Sequence, residues 1–128
     1  MGVDFEMSIL IVDDYKTMLR IIGNLLKQLG FYNIDEATDG NMALLKLHKN
    51  KYDLVISDWN MQPMSGLDLL ENVRESESLK KIPFIMVTAE SKTENVIAAQ
   101  KAGVNNYIVK PFTASTLKSK LVSIFGNF

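Results

Sequence analysis

Four apolar runs in this chain each end in a side chain able to do chemistry. Ile9, Leu10, Ile11 and Val12 lead into Asp13 and Asp14; Leu54, Val55, Ile56 and Ser57 lead into Asp58; Phe84, Ile85, Met86 and Val87 end at Thr88; Tyr107, Ile108 and Val109 lead into Lys110 and Pro111. A single aspartate after a strand is ordinary turn chemistry. Three carboxylates, a hydroxyl and an ammonium at the ends of four such runs describe one site on one edge of a sheet. Crowded carboxylates repel, by about 4 kcal/mol for two unit charges ~4 Å apart at an effective dielectric near 20. A hard divalent cation relieves that repulsion. Mg²⁺ takes oxygen ligands, prefers one or two carboxylates, keeps waters and readily adds a phosphate oxygen. Asp13, Asp14 and Asp58 therefore read as a Mg²⁺ site with room for phosphate, with no cysteine in the chain and no nearby histidine to suggest zinc.

One of these carboxylates can act as a nucleophile, since aspartate forms acyl phosphates. Phosphoryl transfer spreads negative charge over three equatorial oxygens, so cations and donors placed around them do most of the catalysis. Lys110 supplies a second cation, and the Thr88 hydroxyl and backbone N–H groups after Asp58 supply donors. Asp58 is the expected nucleophile, because it stands alone while Asp13 and Asp14 come as a metal-holding pair.

The elements that must hold these residues alternate. Strand-like runs lie near 7–13, 33–37, 53–57, 83–88 and 106–109, with helical spacing between them. In 15–30, Leu19, Ile22, Leu26 and Leu29 share a face widened by Met18, Ile21 and Leu25, and Gly30 supplies the stop. Asp39 can cap a helix reaching about Asn50 with Leu44 and Leu47 inward. Ser65 and Asp68 form a capping box before Leu67, Leu70 and Val73, and Ser91 and Glu94 form a second, with Gly103 ending that helix. Thr113 precedes a last helix carrying Leu117, Leu121, Ile124 and Phe125. Five strand–helix units imply an α/β fold with a five-stranded parallel sheet, because parallel neighbours need crossovers. The central runs are apolar without alternation, as strands covered on both faces should be. The expected arrangement is the doubly wound, flavodoxin-like order 2-1-3-4-5, whose ligands sit beyond the carboxyl ends of the strands.

Bulk properties narrow the class. At 128 residues, 47% of them apolar, the chain is expected to be one globular domain, 1–128. A formal net charge of -1 argues against a nucleic-acid surface. No apolar run approaches the ~18 residues of a membrane span, and residues 1–6 carry no signal-peptide pattern. Glu6 stands where a myristoylation signal wants Ser or Thr. A cytoplasmic monomer is expected. The only histidine, His48, lies in a polar stretch and reads as a solvated helix residue; the seven methionines read as gap-filling core.

The Asp pair after the first strand, Asp58 after the third, Thr88-Ala89 after the fourth and Lys110-Pro111 after the fifth resemble the receiver domain of two-component response regulators. The resemblance covers the whole chain and is strongest to chemotaxis members: Ser57-Asp58-Trp59-Asn60-Met61, Val87-Thr88-Ala89-Glu90 and Lys110-Pro111-Phe112-Thr113-Ala114 carry it. It implies that Asp58 accepts phosphate from a histidine kinase, that Asp13 helps hold Mg²⁺, and that Asp14, Asp58 and the Asn60 backbone carbonyl ligate it. Lys110 would pair with the phosphoryl oxygens across a cis Lys110–Pro111 peptide. Thr88 would swing toward the phosphate and Tyr107 turn inward behind it, reshaping the face of the fourth helix, fifth strand and fifth helix. Asn60 and Glu90 would tune the phosphate lifetime. Lys92, Tyr107 and Lys120 would meet partners, chiefly the flagellar motor switch protein, and a dedicated phosphatase is a further partner the resemblance admits. The loop after Asp58 departs from the family at Gln62 and Ser65, where Pro and Asp are usual, although Pro63 stiffens the loop one residue later and Ser65 can still cap.

The chain ends soon after the fifth helix, so the expectation is a stand-alone switch with no output domain, and not an enzyme beyond its own phosphorylation from small donors and its own dephosphorylation. A phosphate sink sharing the same kinase is the alternative within the family. A phosphatase working through an aspartyl phosphate is a third reading, but the acid/base Asp expected two residues after a first-strand nucleophile is replaced by Tyr15. An electron carrier of flavodoxin type would need a flavin-phosphate loop, and the acidic Asp13-Asp14 has the wrong charge for one.

Overall fold

The computed structural model describes residues 4–89 and 92–128. In chain order it contains β1 (Ile9–Val12), α1 (Lys16–Gln28), β2 (Ile34–Ala37), α2 (Gly40–Lys49), β3 (Leu54–Asp58), α3 (Gly66–Glu75), β4 (Phe84–Thr88), α4 (Thr93–Ala102), β5 (Asn106–Val109) and α5 (Ala114–Phe125). The strands form one parallel sheet in the order β2-β1-β3-β4-β5. In-register pairs such as Val12 with Ser57 and Asp58 with Val87 bring the carboxyl ends of the three central strands level.

Each strand sends alternate side chains to opposite faces, and both faces are apolar. Ile9, Ile11, Leu54, Ile56, Ile85 and Val87 join Leu19, Ile22, Leu26, Leu117 and Leu121 beneath α1 and α5. Leu10, Val12, Val55, Phe84 and Met86 join Ala43, Leu47, Leu69, Leu70 and Val73 beneath α2 and α3. This two-sided burial explains the continuous apolar runs. Buried Ala43 and Leu69 extend the stripes read from sequence, whereas Leu44 is only half-buried. Ile21, expected to widen the inner face of α1, is 43% exposed. It sits one residue from Ile22, which turns it about 100° off the packed stripe. Among the methionines, Met7, Met61 and Met86 fill core, but Met42 lies on the surface.

The helix ends follow local chemistry. Asp39 Oδ1 accepts from the Met42 N–H at 2.8 Å, and Ser65 and Asp68 form the reciprocal capping box. The Thr113 side chain caps α5. Gly30 and Gly103 take positive φ at helix ends, a conformation side chains with a Cβ avoid. The second expected capping box involves Ser91, which lies outside the described residues; α4 starts at Thr93 behind Lys92, whose side chain makes no cap bond.

At both sheet edges, side chains engage some of the outward backbone groups. On β2, the Glu36 N–H donates to Asp35 Oδ1 and the Glu36 carbonyl accepts from Lys46 Nζ. On β5, the Tyr107 N–H donates to Asn106 Oδ1 at 2.9 Å. Groups engaged in this way are no longer free to pair with the strand of another chain.

Candidate functional site

The carboxyl ends of β1, β3, β4 and β5 converge as the spacing predicted. Asp13, Asp58 and Thr88 are buried, an unusual placement for two acids, while Asp14 is exposed. One oxygen from each of Asp13, Asp14 and Asp58 lies within 4.8 Å of the others. Lys110 Nζ reaches into this cluster, 3.1 Å from Asp58 Oδ1 and 3.6 Å from Asp13 Oδ2. The Lys110 N–H donates to the Thr88 carbonyl at 2.7 Å, which anchors the Lys110 backbone beside the end of β4. The Lys110–Pro111 peptide is cis, as the resemblance implied, and so is Gln62–Pro63 in the loop after β3.

The electrostatics are unbalanced. Asp13 Oδ1 accepts from the Tyr15 N–H at 2.9 Å, but Asp13 Oδ2 is buried without a hydrogen-bond partner. Burial is the main cause that holds the Asp13 carboxyl above its ordinary value, and Asp58 and Asp14 add to it against the pull of the Tyr15 N–H and Lys110. Burial also raises Asp58, opposed first by the bond from Lys110. A buried oxygen that accepts no hydrogen bond, beside two more carboxylates, all hard donors, fits a divalent cation with oxygen preference.

The backbone around Asp58 is held closely. The Trp59 N–H donates to the Val87 carbonyl at 3.0 Å, so this first donor after Asp58 is already engaged in the sheet. The Trp59 carbonyl accepts from the Gly66 N–H at 2.8 Å. A Cβ on Gly66 would lie 2.1 Å from the Asp58 carbonyl oxygen and 2.9 Å from the Trp59 Cα. Gly66 is thus a site residue that the sequence presented only as part of a capping box, because the close approach exists only in the folded chain.

The remaining expected residues are spread over the surroundings. Asn60 is exposed next to the cluster, and Glu90 lies outside the described residues. Tyr107 is half-buried and packs edge-on against Trp59, with ring centroids 6.3 Å apart. Trp59 is therefore a packed neighbour of the site and not a plain surface aromatic. Lys92 is exposed on the approach to α4, and Lys120 is half-buried on α5. Ile97 on α4 and Val109 on β5 expose 44% and 40% of their surface, and sequence periodicity gave no sign of either. His48 is an exposed helix residue.

A model of the response regulator receiver domain matches residues 9–122. The chain belongs to that family. It is 59% identical over 120 residues to the chemotaxis protein CheY-3 of Vibrio cholerae, covering 94% of this chain and 92% of that protein. It is 56% identical to the chemotaxis protein CheY of Pseudomonas aeruginosa, covering 93% and 96%. The solved structure of the chemotaxis response regulator CheY4 of Vibrio cholerae superposes with a TM-score of 0.86 at 31% identity, covering 94% and 99% of the two chains. The receiver domain of a sensor histidine kinase from Pseudomonas aeruginosa, crystallised with a magnesium ion in its active-site cleft, gives a TM-score of 0.82 at 26% identity over 91% and 95%. This is accordingly a CheY-like response regulator of the chemotaxis type, a signalling protein and not a classical enzyme. Receiver domains bind Mg²⁺ at an acidic pocket, and the corresponding pocket here is formed by Asp13, Asp14 and Asp58. Among the described residues, no helix is long and apolar enough to cross a membrane.

Proposed function

We propose that Asp58 is the phosphoacceptor of a chemotaxis switch, charged by a histidine kinase and read by the flagellar motor switch protein. One observation carries the reading: a lysine ammonium lies 3.1 Å from a buried aspartate at the end of the middle strand, beside a second buried aspartate with an oxygen that accepts no hydrogen bond. An Asp58 carboxylate oxygen attacks the phosphorus, and the bond to the kinase histidine breaks. Asp13, Asp14, Asp58 and the Asn60 carbonyl would hold Mg²⁺. When bound, the ion supplies the charge that neutralises phosphoryl oxygens. Lys110, now paired with Asp58, is positioned to follow the charge onto the phosphoryl group. The Thr88 hydroxyl at the end of β4 would serve as the donor to another oxygen.

Phosphate brings a charge near -2 and three acceptors. Moving a two-state equilibrium from mostly inactive to mostly active takes about 5.5 kcal/mol of differential interaction. A charge-assisted bond contributes roughly 1.5–3 kcal/mol, so two or three new contacts at Thr88 and Lys110 are enough. The readout is the face of α4, β5 and α5, where Lys92, Tyr107 and Lys120 are joined by exposed Ile97 and Val109. Basic and apolar groups together suit an acidic amphipathic peptide. The test is binding of the motor switch protein's N-terminal peptide with and without beryllofluoride, a phosphate mimic. Tighter binding in the mimic state, lost in Asp58→Asn, is expected; equal affinity in both states would remove the switch.

A further inference from the structure

A groove of about 620 Å³ runs between α1 and the β2 edge of the sheet and takes in Lys46 from α2. That volume falls within the range of small-ligand sites, ~300–1,000 Å³. Lys16, Arg20 and Lys27 line it from α1, all exposed and none with an ion pair among the described residues. The helix, Lys16–Gln28, carries no acidic residue to offset them. Lys16 stands in the first turn, where the helix dipole disfavours a cation. Arg20, four residues on, adds like-charge repulsion on the same face. Gly23 also lines the groove from the middle of the helix, where glycine is less favourable than alanine. Packing does not require it, because a Cβ there would come no closer than 4.0 Å to its nearest neighbour, Ile11 Cδ1. Several local choices that work against the helix thus meet in one groove, as they do where a site and not the fold sets the residue.

The lining stays positive with every carboxylate counted as ionised. Four cations, the three on α1 and Lys46, face two acids, Asp35 and Glu36. Lys46 Nζ pairs with Asp35 Oδ1 at 3.0 Å, and those two charges offset each other. Three cations then remain against Glu36, in a chain whose formal net charge is -1. The excess is drawn out along a line. At 1.5 Å per residue, Arg20 lies about 6 Å along the helix from Lys16 and about 10 Å from Lys27. Such a row meets a chain of anionic groups better than a single oxyanion. Beyond the end of α1 stands Tyr32, 65% exposed, which offers the groove an aromatic face.

We propose that this groove binds a nucleoside di- or triphosphate. Each part of the lining then has a role. The guanidinium of Arg20 matches phosphate oxygens in its planar fork, with Lys16 and Lys27 as point charges on either side. Tyr32 stacks on the base. Glu36, exposed and without an ion pair among the described residues, accepts from the ribose hydroxyls, which accounts for an acid in a groove that favours anions. The groove shares no residue with the Asp58 cluster or with the α4–β5–α5 face, so the proposal stands apart from the phosphoacceptor reading.

The test titrates ADP, adenosine and inorganic pyrophosphate into the metal-stripped full chain and follows amide chemical shifts. Without metal, the carboxylates around Asp58 repel anions, so binding there does not imitate the result. Saturable shifts from ADP centred on 16–27 and 32–36 are expected, with adenosine and pyrophosphate each binding at least tenfold more weakly. Arg20→Gln, an exchange at an exposed position, should weaken ADP at least tenfold. Tyr32→Ala, also exposed, should weaken ADP but leave pyrophosphate unchanged. Absence of saturable shifts, shifts centred elsewhere, or ADP affinity unchanged in Arg20→Gln would overturn the site. Adenosine or pyrophosphate binding as tightly as ADP, or Tyr32→Ala weakening both anions alike, would overturn the nucleotide assignment.

Discussion

Replacing Asp13 by Asn should stabilise the metal-free protein. At 3.6 Å, Lys110 attracts Asp13 Oδ2 by about 4.6 kcal/mol at an effective dielectric of 20. An Asp58 oxygen no farther than 4.8 Å away repels it by about 3.5 kcal/mol or more. Asp14 is exposed, so its repulsion over the same distance is water-screened to about 0.9 kcal/mol. The pair interactions nearly cancel. What remains is a buried acceptor without a partner, which costs ~1–3 kcal/mol, more when charged. A neutral amide keeps part of that cost, so the expected gain is about 1–2 kcal/mol, or roughly 3–6 °C in melting temperature per kcal/mol for a domain of this size. The sign with pH follows from the same burial. Asp13 and Asp58 are both held above 3.8, so the folded state keeps protons that the unfolded chain has released. Their contribution to stability therefore falls as pH rises from 3.8 through the raised values, and Asp13→Asn should flatten that fall. The assay is thermal unfolding by circular dichroism at pH 7 in chelator and then in saturating Mg²⁺. The ion should raise the wild-type midpoint, since a ligand at a hundred times its Kd adds about 2.7 kcal/mol, and raise the Asn variant far less. An Asn variant less stable than wild type in chelator would refute the reasoning.

Gly66→Ala places a methyl against the Asp58 carbonyl and should weaken Mg²⁺ binding at least tenfold while costing about 1–3 kcal/mol of stability, measured by metal titration and urea unfolding. Lys110→Ala should leave phosphorylation of Asp58 possible but uncouple it from partner binding, so an unchanged difference in motor-peptide affinity between the two states would contradict the role given to Lys110. Tyr52 donates to Asp35 at 2.5 Å and its hydroxyl is pushed up to about 12, first by burial and then by that carboxylate. Tyr52→Phe should cost ~1.5–3 kcal/mol in urea unfolding at neutral pH. The wild-type advantage, present below pH 10, is lost as pH rises from 10 toward 12.

The sequence exposed most of the fold because its punctuation is local. Asp39, Ser65 and Thr113 cap helices, Gly30 and Gly103 stop them, and the strands are short apolar runs ending at the site. The convergence of Asp13, Asp58, Thr88 and Lys110 was legible from four strand ends. Several features were not. Ile21 faces water because helix phase, not composition, decides exposure, and Gly66 touches the Asp58 carbonyl through a loop whose path no local pattern encodes. The edge hydrogen bonds accepted by Asp35 and Asn106 use side chains that read as ordinary polar residues until the strands are placed at the sheet margins. The outward turn of Ile97 and Val109 likewise depends on how α4 and β5 settle on the rest of the sheet.

Borohydride reduction of the protein after phosphotransfer from a histidine kinase in Mg²⁺, followed by peptide mass spectrometry, converts an aspartyl phosphate into homoserine at the position that carried it. Homoserine at position 58, dependent on Mg²⁺ and missing in chelator, is the predicted result. Homoserine at position 13 or 14, or none at 58 while the protein still takes up phosphate, would contradict the assignment.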